Sequence, residues 1–115
     1  MTTHPFKAFV RRQNERVTVD MSGEINSFAE EALDEAYSQA ESYNPSMIVL
    51  NFTQVSYINS TGIALIVGLL ARARKARRQL AVYGLSNHYM EVFQITRLSD
   101  FMQIYPDESS LAVLN

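Results

Sequence analysis

The chain has 115 residues, a formal net charge of −2, no cysteine and a hydrophobic share of 47%. This length is typical of one domain, and the hydrophobic share is enough for a core around one sheet. Without cysteine there is no disulfide framework and no cysteine-based metal site, and no apolar run approaches the roughly 20 residues that span a membrane. We therefore expect a single domain, residues 1–115, that is cytoplasmic and not inserted in a membrane.

The chain begins with a pattern typical of a β-hairpin. Lys7 to Val10 and Arg16 to Ser22 are two extended segments that meet at a turn around Gln13 and Asn14. The second segment alternates apolar and polar side chains, which predicts a strand with one buried face. We expect these segments to pair as neighbouring strands.

A helix is predicted to follow the hairpin. Ser27 and Glu30 have the spacing of a capping box, in which each side chain bonds the backbone of the other at a helix start. The helix is predicted to end at Asn44-Pro45. Apolar residues recur at helical spacing between these points: Ala29, Ala32, Leu33, Ala36, Tyr37 and Ala40.

The middle of the chain predicts a buried strand and a long helix. Met47 to Phe52 is an almost unbroken apolar run of strand length, which is typical of a central strand. Gln54 to Asn59 is predicted to be a polar turn, and a second helix is predicted from Ser60 to about Arg78. The apolar stripe of this helix consists of Ile63, Ile66, Val67 and Leu70.

Strand and helix patterns alternate in the last third of the chain. Leu80 to Leu85 predicts a short strand, Asn87 to Thr96 a third helix, and Phe101 to Tyr105 a last strand. A short terminal helix through Leu111 and Leu114 is compatible with the pattern. The alternation after the hairpin predicts an α/β fold whose mixed sheet contains parallel βαβ units.

The most specific pattern lies between Met47 and Leu70. The strand Ile48-Val49-Leu50-Asn51-Phe52 leads into Val55-Ser56-Tyr57-Ile58-Asn59-Ser60-Thr61-Gly62 at the start of the second helix. This segment resembles the signature of the STAS family, the sulfate transporter and anti-sigma-factor antagonist domain. In that family the serine at the position of Ser60 is the phosphoacceptor.

The resemblance covers nearly the whole chain. Ser22-Gly23-Glu24-Ile25 is similar to the family's loop before its first helix, and Leu80-Ala81-Val82-Tyr83-Gly84-Leu85 is similar to its fourth strand. Phe93-Gln94-Ile95-Thr96-Arg97-Leu98 resembles its third helix and the turn that follows. The resemblance implies a single STAS-like α/β domain, with a mixed four- to five-stranded sheet and helices packed mainly on one face.

Two residues depart from the family pattern. Asn59 stands where an acidic residue usually precedes the phosphoacceptor, so a kinase would meet an amide in place of a carboxylate. Arg97 replaces a glycine in the turn after the third helix, and this change is expected to affect only local turn geometry.

The resemblance implies a switch protein that is not an enzyme and holds no cofactor. Such a protein, with Ser60 unphosphorylated, binds an anti-sigma factor that is also a serine kinase, and thereby frees a sigma factor. Phosphorylation of Ser60 by that kinase, which supplies the ATP, ends the interaction, and a phosphatase resets it. The implied contact residues are Gly23, Glu24 and Asn26 before the first helix, and Asn59, Ser60, Thr61, Gly62 and Ala64 at the start of the second.

Other interpretations remain open on the residues themselves. A serine that opens a helix is typical of an N-cap, and this role is compatible with phosphorylation of Ser60 because a helix N-terminus favours an anion. Two alternative functions also stay open for this chain. The first is a STAS subunit of a lipid-transport ABC complex or a scaffold in a signalling assembly, and the second is a domain that senses a small molecule or nucleotide.

Catalytic, metal and nucleic-acid sites are not expected. Ile58-Asn59-Ser60-Thr61-Gly62 lacks the first glycine of a nucleophile elbow, and His4 and His88 lie outside any metal-spacing motif. The basic run Arg72-Ala73-Arg74-Lys75-Ala76-Arg77-Arg78 lies at the predicted end of the second helix, where cations complement the helix dipole. We therefore interpret it as a solvated face of that helix and not as a nucleic-acid interface.

Overall fold

A five-stranded sheet lies at the centre of the structure, a computed structural model that describes residues 4–13 and 15–112. The strands lie side by side in chain order: β1 (Lys7–Gln13), β2 (Arg16–Ile25), β3 (Met47–Ile58), β4 (Gln79–Tyr83) and β5 (Gln103–Tyr105). β1 pairs antiparallel with β2, and each later pair is parallel. The predicted hairpin and mixed α/β sheet are confirmed.

Helices connect the parallel strands. Within the described residues these are α1 (Glu30–Ser42), α2 (Ser60–Lys75), α3 (Asn87–Ile95) and α4 (Glu108–Ala112), with short 3₁₀ helices at Ser27–Ala29 and Leu98–Asp100. In the part of the chain that the structure describes, no helix has the length and apolar character needed to cross a membrane.

The alternation of side chains along the strands decides where the helices pack. Leu50 of β3 belongs to the main buried cluster, together with Tyr37 of α1, Ile66 of α2 and Phe93 of α3. Val49, on the opposite face of β3, packs in a smaller cluster with residues of β4 and α4. The helices therefore lie mainly on one face, as expected, because the strand period of two sends neighbouring residues to opposite faces.

A polar network on the second face holds α4 to the sheet. Arg11 Nη2 and Asn51 Nδ2 both donate to Asp20 Oδ1, at 3.0 and 2.8 Å. Arg11 Nη1 also donates to Glu108 of α4 at 3.1 Å, and Tyr83 Oη donates to the same carboxylate at 3.3 Å. Burial alone would raise the pKa of Asp20, but the hydrogen bonds from Arg11 and Asn51 lower it, so this carboxyl stays charged at neutral pH.

The start of α1 differs from the predicted capping box. The N-cap of α1 is Ala29, which offers no side-chain hydrogen bond. Asn26 caps the 3₁₀ turn that precedes α1, and its Oδ1 accepts a hydrogen bond from the backbone N–H of Phe28 at 2.9 Å. Ser27 lies inside the first 3₁₀ turn, and Glu30 is the first residue of α1. The prediction was wrong because β2 extends to Ile25, which makes Asn26 the first residue free to begin a turn.

β3 is longer than predicted. The segment from Gln54 to Ile58 continues the strand where the sequence predicts a polar turn. Its backbone pairs with β2 as far as Ile25 opposite Ile58, with irregularities in register along the way. Hydrogen bonding to a distant strand therefore decides the structure here, although the side chains have the polarity of a loop.

The ends of α2 and β4 also differ from prediction. α2 ends at Lys75 and not near Arg78, because Arg77 adopts a left-handed backbone with φ of 57°. β4 ends at Tyr83 and not at Leu85, since the backbone leaves the extended conformation at Gly84, where φ is 83°.

The last segments follow the predicted order with different boundaries. β5 begins at Gln103 and not at Phe101, because a 3₁₀ helix and turn precede it. The expected terminal helix is present and buries Leu111, whereas Leu114 and the predicted hairpin-turn residue Asn14 lie outside the described residues. Arg97 has φ of 65°, a backbone conformation that suits the glycine of the family pattern.

Tyr37 carries a buried hydroxyl without a hydrogen-bond partner among the described residues. The side chain is 0% exposed and lies under the guanidinium of Arg72, 4.7 Å from the ring centroid. Burial raises the pKa of Tyr37 to about 12, so the folded protein keeps this proton at a pH where an unfolded chain releases it.

Replacing Tyr37 with phenylalanine is expected to stabilise the protein by about 1 kcal/mol at pH 7, because an unpaired buried polar group costs about 1–3 kcal/mol. As pH rises from about 10 to 12, tyrosine ionises first in the unfolded state, so the stability of the wild type falls and that of Tyr37→Phe falls less. Urea unfolding at pH 7 and pH 11 measures both effects.

The control for this prediction is Tyr83→Phe. It removes a hydroxyl that donates a hydrogen bond to Glu108, so it should destabilise the protein at pH 7. A destabilised Tyr37→Phe at pH 7 would contradict the prediction.

Candidate functional site

The carboxyl ends of β2 and β3 lie side by side and bring two loops together. Ile25, the last residue of β2, is opposite Ile58, the last residue of β3. The turn that begins at Asn26 therefore lies next to the first residue of α2, Ser60. The structure places in this one region the residues that the resemblance implies for partner contact: Gly23, Glu24, Asn26, Asn59, Ser60, Thr61, Gly62 and Ala64. We refer to these eight residues as the contact surface.

Asn59 is the N-cap of α2. Its backbone is extended, and its Oδ1 accepts a hydrogen bond from the N–H of Gly62 at 2.8 Å. Its carbonyl oxygen accepts from the N–H of Ile63 at 2.9 Å. Asparagine is among the strongest N-cap residues, so the amide that departs from the family pattern has a structural role here. The N-cap role predicted for Ser60 was wrong by one residue, since Ser60 is the first residue inside the helix.

Gly62 lies directly against the backbone of β2. A Cβ atom at this position would lie 2.0 Å from the carbonyl oxygen of Ile25, a distance much shorter than the sum of the two van der Waals radii. The N–H of Asn59 donates to the same oxygen at 3.3 Å. The first turn of α2 therefore rests on the end of β2, and only glycine permits this close approach.

Gly23 and Glu24 connect β2 to the segment that precedes β1. Gly23 has φ of 86°, and a Cβ atom there would lie 2.2 Å from the carbonyl oxygen of Pro5. The N–H of Glu24 donates to the carbonyl of His4 at 2.9 Å, and the N–H of His4 donates to the Glu24 carboxylate at 3.2 Å. Gly23 and Glu24 therefore have a structural function: they hold the segment His4-Pro5 against the end of β2.

Ser60 presents its hydroxyl to solvent. Ser60, Thr61 and Ala64 are exposed, and within the described part of the chain no residue hydrogen-bonds the Ser60 hydroxyl. The first turn of α2 contains no acidic residue. A phosphoryl group on Ser60 would add a charge of about −1.5 to −2 at the positive end of a helix dipole, which favours an anion. The local structure can therefore accept a phosphate without a change of fold.

Tyr89 of α3 fixes the end of β3. Its hydroxyl accepts a hydrogen bond from the N–H of Ile58 at 2.8 Å and lies 3.4 Å from the carbonyl oxygen of the same residue. Ile58 precedes the cap residue Asn59, so Tyr89 is a positioning residue for the start of α2. Sequence reasoning missed it, because a tyrosine at helical spacing carries no sign of a hydrogen bond to a residue 31 positions away.

Two exposed aromatic side chains near the contact surface were also missed. Phe28, in the 3₁₀ turn before α1, is 93% exposed, and Tyr57 near the end of β3 is 51% exposed. Exposed aromatic rings are enriched at protein interfaces. Tyr57 lies in the predicted polar turn, where an aromatic side chain has no core to enter, and this was a usable signal. Phe28 lies at the start of the predicted first helix but is not part of the apolar face that begins at Ala29.

Two arginines of the basic run take part in interactions within the fold. Arg72 forms ion pairs with Asp34 and Glu41 of α1. Arg78 donates to the carbonyl oxygen of Pro45 at 2.7 Å. These contacts connect the end of α2 to α1 and to the loop before β3, which favours a structural role for these charges.

Comparison with known protein families identifies the family of the chain. The family model of the STAS domain matches residues 8–111. The chain belongs to the STAS family. The resemblance drawn from the sequence is thereby confirmed. An anti-sigma-B factor antagonist of Listeria monocytogenes is 29% identical to this STAS chain over 93 residues, which cover 81% of this chain and 82% of the relative.

Solved structures share the STAS fold described above. The crystal structure of an anti-sigma factor antagonist from Mycobacterium paratuberculosis matches 95% of this chain and 92% of its own, with a TM-score of 0.81 and 18% identity. The Bacillus cell fate determinant SpoIIAA in its phosphorylated form matches 94% of this chain and 99% of its own, with a TM-score of 0.71 and 21% identity. These likenesses show that the chain shares the fold of the two solved structures.

Replacing Asn59 with alanine is expected to destabilise the protein by about 1 kcal/mol, because the N–H of Gly62 loses its cap. Asn59→Asp keeps an acceptor and adds a charge that the helix N-terminus favours, so its stability should equal or slightly exceed that of the wild type. Urea unfolding measures both changes. Ser60→Ala is the matched control and should change the free energy of unfolding by less than about 0.5 kcal/mol. Equal losses in Asn59→Ala and Ser60→Ala would show that the cap is misassigned.

Proposed function

We propose that this STAS protein is an anti-sigma factor antagonist, a switch protein without catalytic activity of its own. The observation that carries the proposal is the solvent-exposed hydroxyl of Ser60 in the first turn of α2, at the position of the family's phosphoacceptor. The relatives named anti-sigma factor antagonists support this assignment. The phosphorylated form of SpoIIAA supports a phosphorylated state for a protein of this fold.

The proposed partner is an anti-sigma factor with serine kinase activity, in the cytoplasm. The unphosphorylated protein binds this kinase through the contact surface, and the sigma factor is released. Exposed Ser60, Thr61 and Ala64 touch the partner, whereas Gly23 and Gly62 shape the backbone beneath them.

The proposed switch is a phosphoryl transfer to and from Ser60. The kinase breaks the bond between the β- and γ-phosphates of its ATP, the Ser60 oxygen gains the phosphoryl group and loses its proton, and ADP leaves. A phosphatase returns the serine by hydrolysis, which releases inorganic phosphate. Because Asn59 is neutral, the new phosphate does not meet a carboxylate on the preceding residue.

The same phosphate that the helix tolerates is unfavourable at the interface. Ile63 and Ala64, which follow Gly62, are apolar and offer no cation to a buried phosphate. Loss of water around an unpaired charge at an interface costs about 2–5 kcal/mol, and each 1.4 kcal/mol is about tenfold in affinity. Phosphorylation should therefore reduce binding by about 30-fold to a few thousand-fold, without unfolding the protein.

Ser60 is expected to be the sole residue that the kinase modifies. The purified anti-sigma factor kinases of the source organism are incubated with this protein and ATP, and intact-mass spectrometry follows the product. Wild type should gain one phosphoryl group and Ser60→Ala none, while Thr61→Ala should react like the wild type because its serine remains. Modification of Thr61 with Ser60 unmodified would contradict the proposal.

Ser60→Asp is expected to lose the kinase while it keeps the fold. Calorimetric titration should show weaker binding for Ser60→Asp and still weaker binding for phosphorylated wild type, because aspartate carries less charge than phosphate. Circular dichroism and melting temperature should remain those of the wild type. Gln39→Glu, which adds one charge on an exposed position of α1, is the control and should bind normally. Equal affinity of the phosphorylated and unphosphorylated proteins would refute the switch.

A further inference from the structure

A groove between α1 and α2 continues the contact surface along the helices. Its volume is about 870 Å³, and its lining includes Phe28 and Leu33 on one side and Ala64 and Gly68 on the other. Arg72 lines the groove further along α2. Ala64 belongs both to the groove and to the contact surface, so a partner bound at Ser60 has direct access to the groove.

The groove combines an apolar floor with an exposed aromatic rim. Leu33 and Leu69 are 2% and 4% exposed and form part of the floor, while Phe28 at the rim is 93% exposed. An aromatic side chain buries about 150–250 Å² when it is covered, which makes such a ring a strong anchor for a partner. The Phe28 ring has almost no packing role within the protein, because nearly all of its surface is exposed to solvent.

Gly68 keeps the groove open. It lies inside α2, where glycine is less favourable than alanine because it loses more backbone freedom on folding. A Cβ atom at Gly68 would meet no atom within 4 Å, in contrast to the tight contact at Gly62 in the same helix. No packing contact of the described residues therefore requires glycine at this position, and the space that a side chain would enter is the groove itself.

The rim of the groove is acidic. Glu30, Glu31 and Asp34 line it, and Arg72 is the cation among its lining residues. Arg72 is already paired with Asp34 and with Glu41, whereas no ion pair engages Glu30 or Glu31 within the described chain. The helix dipole of α1 also favours acids in the first turn, but it explains neither the exposed Phe28 ring nor Gly68. The free charges complement a basic partner.

We propose that this groove receives a segment of the anti-sigma factor kinase that carries a basic side chain next to a large apolar one. The apolar side chain packs on Leu33 and against Phe28, and the basic side chain faces Glu30 and Glu31. This inference rests on the proposed function and divides the interface into two parts. Ser60 is the part that phosphorylation switches, and the groove is an anchor that phosphorylation leaves in place.

Two groove variants with matched controls test the anchor. Gly68→Gln places a side chain in the groove, and Glu31→Lys reverses a charge at its rim. Ala71→Gln on α2 and Glu35→Lys on α1 introduce the same side chains at exposed positions that do not line the groove. In calorimetric titrations with the kinase we expect affinity to fall about tenfold or more for Gly68→Gln and about three- to tenfold for Glu31→Lys, with controls within about twofold.

Two further measurements separate loss of an anchor from loss of fold. Gly68→Gln should melt at or above the wild-type temperature, since it removes a glycine from a helix interior. Overlapping peptides that cover the kinase sequence are titrated into isotope-labelled protein and followed by NMR. One peptide with adjacent basic and apolar residues should shift the NMR signals of Phe28, Ala64 and Gly68, both in the wild type and in Ser60→Asp. The same peptide should cause no shifts in the spectrum of Gly68→Gln.

The outcomes distinguish the anchor from the switch. If Ser60→Asp loses the kinase and both groove variants bind with wild-type affinity, the anchor is refuted and the switch stands. If the groove variants lose affinity and Ser60→Asp binds normally, the anchor is supported and the switch is refuted. If the wild type binds none of the organism's anti-sigma factor kinases, both fail, because the proposed occupant is a segment of that kinase. Shifts confined to residues outside the groove would also overturn the anchor.

Discussion

The contact between Gly62 and the carbonyl oxygen of Ile25 governs the geometry of the contact surface. β2 and β3 pair in parallel to their last residues, and only Asn59 lies between the end of β3 and the start of α2. The chain has no loop with which to move the helix away from the sheet, so its first turn presses on β2. A Cβ atom would lie 2.0 Å from the Ile25 oxygen, and glycine removes this clash. The hydroxyl of Ser60 is thereby held at a defined place on a rigid element.

The residues around this contact divide into those that shape the surface and those that face solvent. Gly23 and Gly62 allow two backbone segments to approach closely, and Tyr89 binds the backbone of Ile58 from α3. Ser60 stands outside this set of contacts with its hydroxyl accessible. An exposed hydroxyl on a packed backbone is well suited to modification, because an added phosphate would change the charge of the surface while the fold beneath it stays in place.

Much of the fold and the family could be predicted from local patterns. The alternating segment of β2, the apolar run of β3 and the helical spacing in α1 each reflect burial of one face, which depends mainly on the order of apolar residues. The signature that ends at Gly62 identified the family because it combines a buried strand with a specific helix start. Predictions failed where two local patterns competed, as at Asn26 and Ser27, since both residue types favour caps.

Sequence alone was sufficient for the α/β class, the order of the elements and the family, because these follow from periodicity and from residues that are neighbours in the chain. Tertiary structure decided which residue caps α2, how far β3 extends and where the groove beside Gly68 opens. Each of these depends on a contact between distant segments: the Ile25 carbonyl with Asn59, β2 with the polar end of β3, and α1 with α2. The residue types of one segment do not show which backbone N–H and C=O groups of a distant segment they will hydrogen-bond. These partners are determined only when the sheet and its helices pack together.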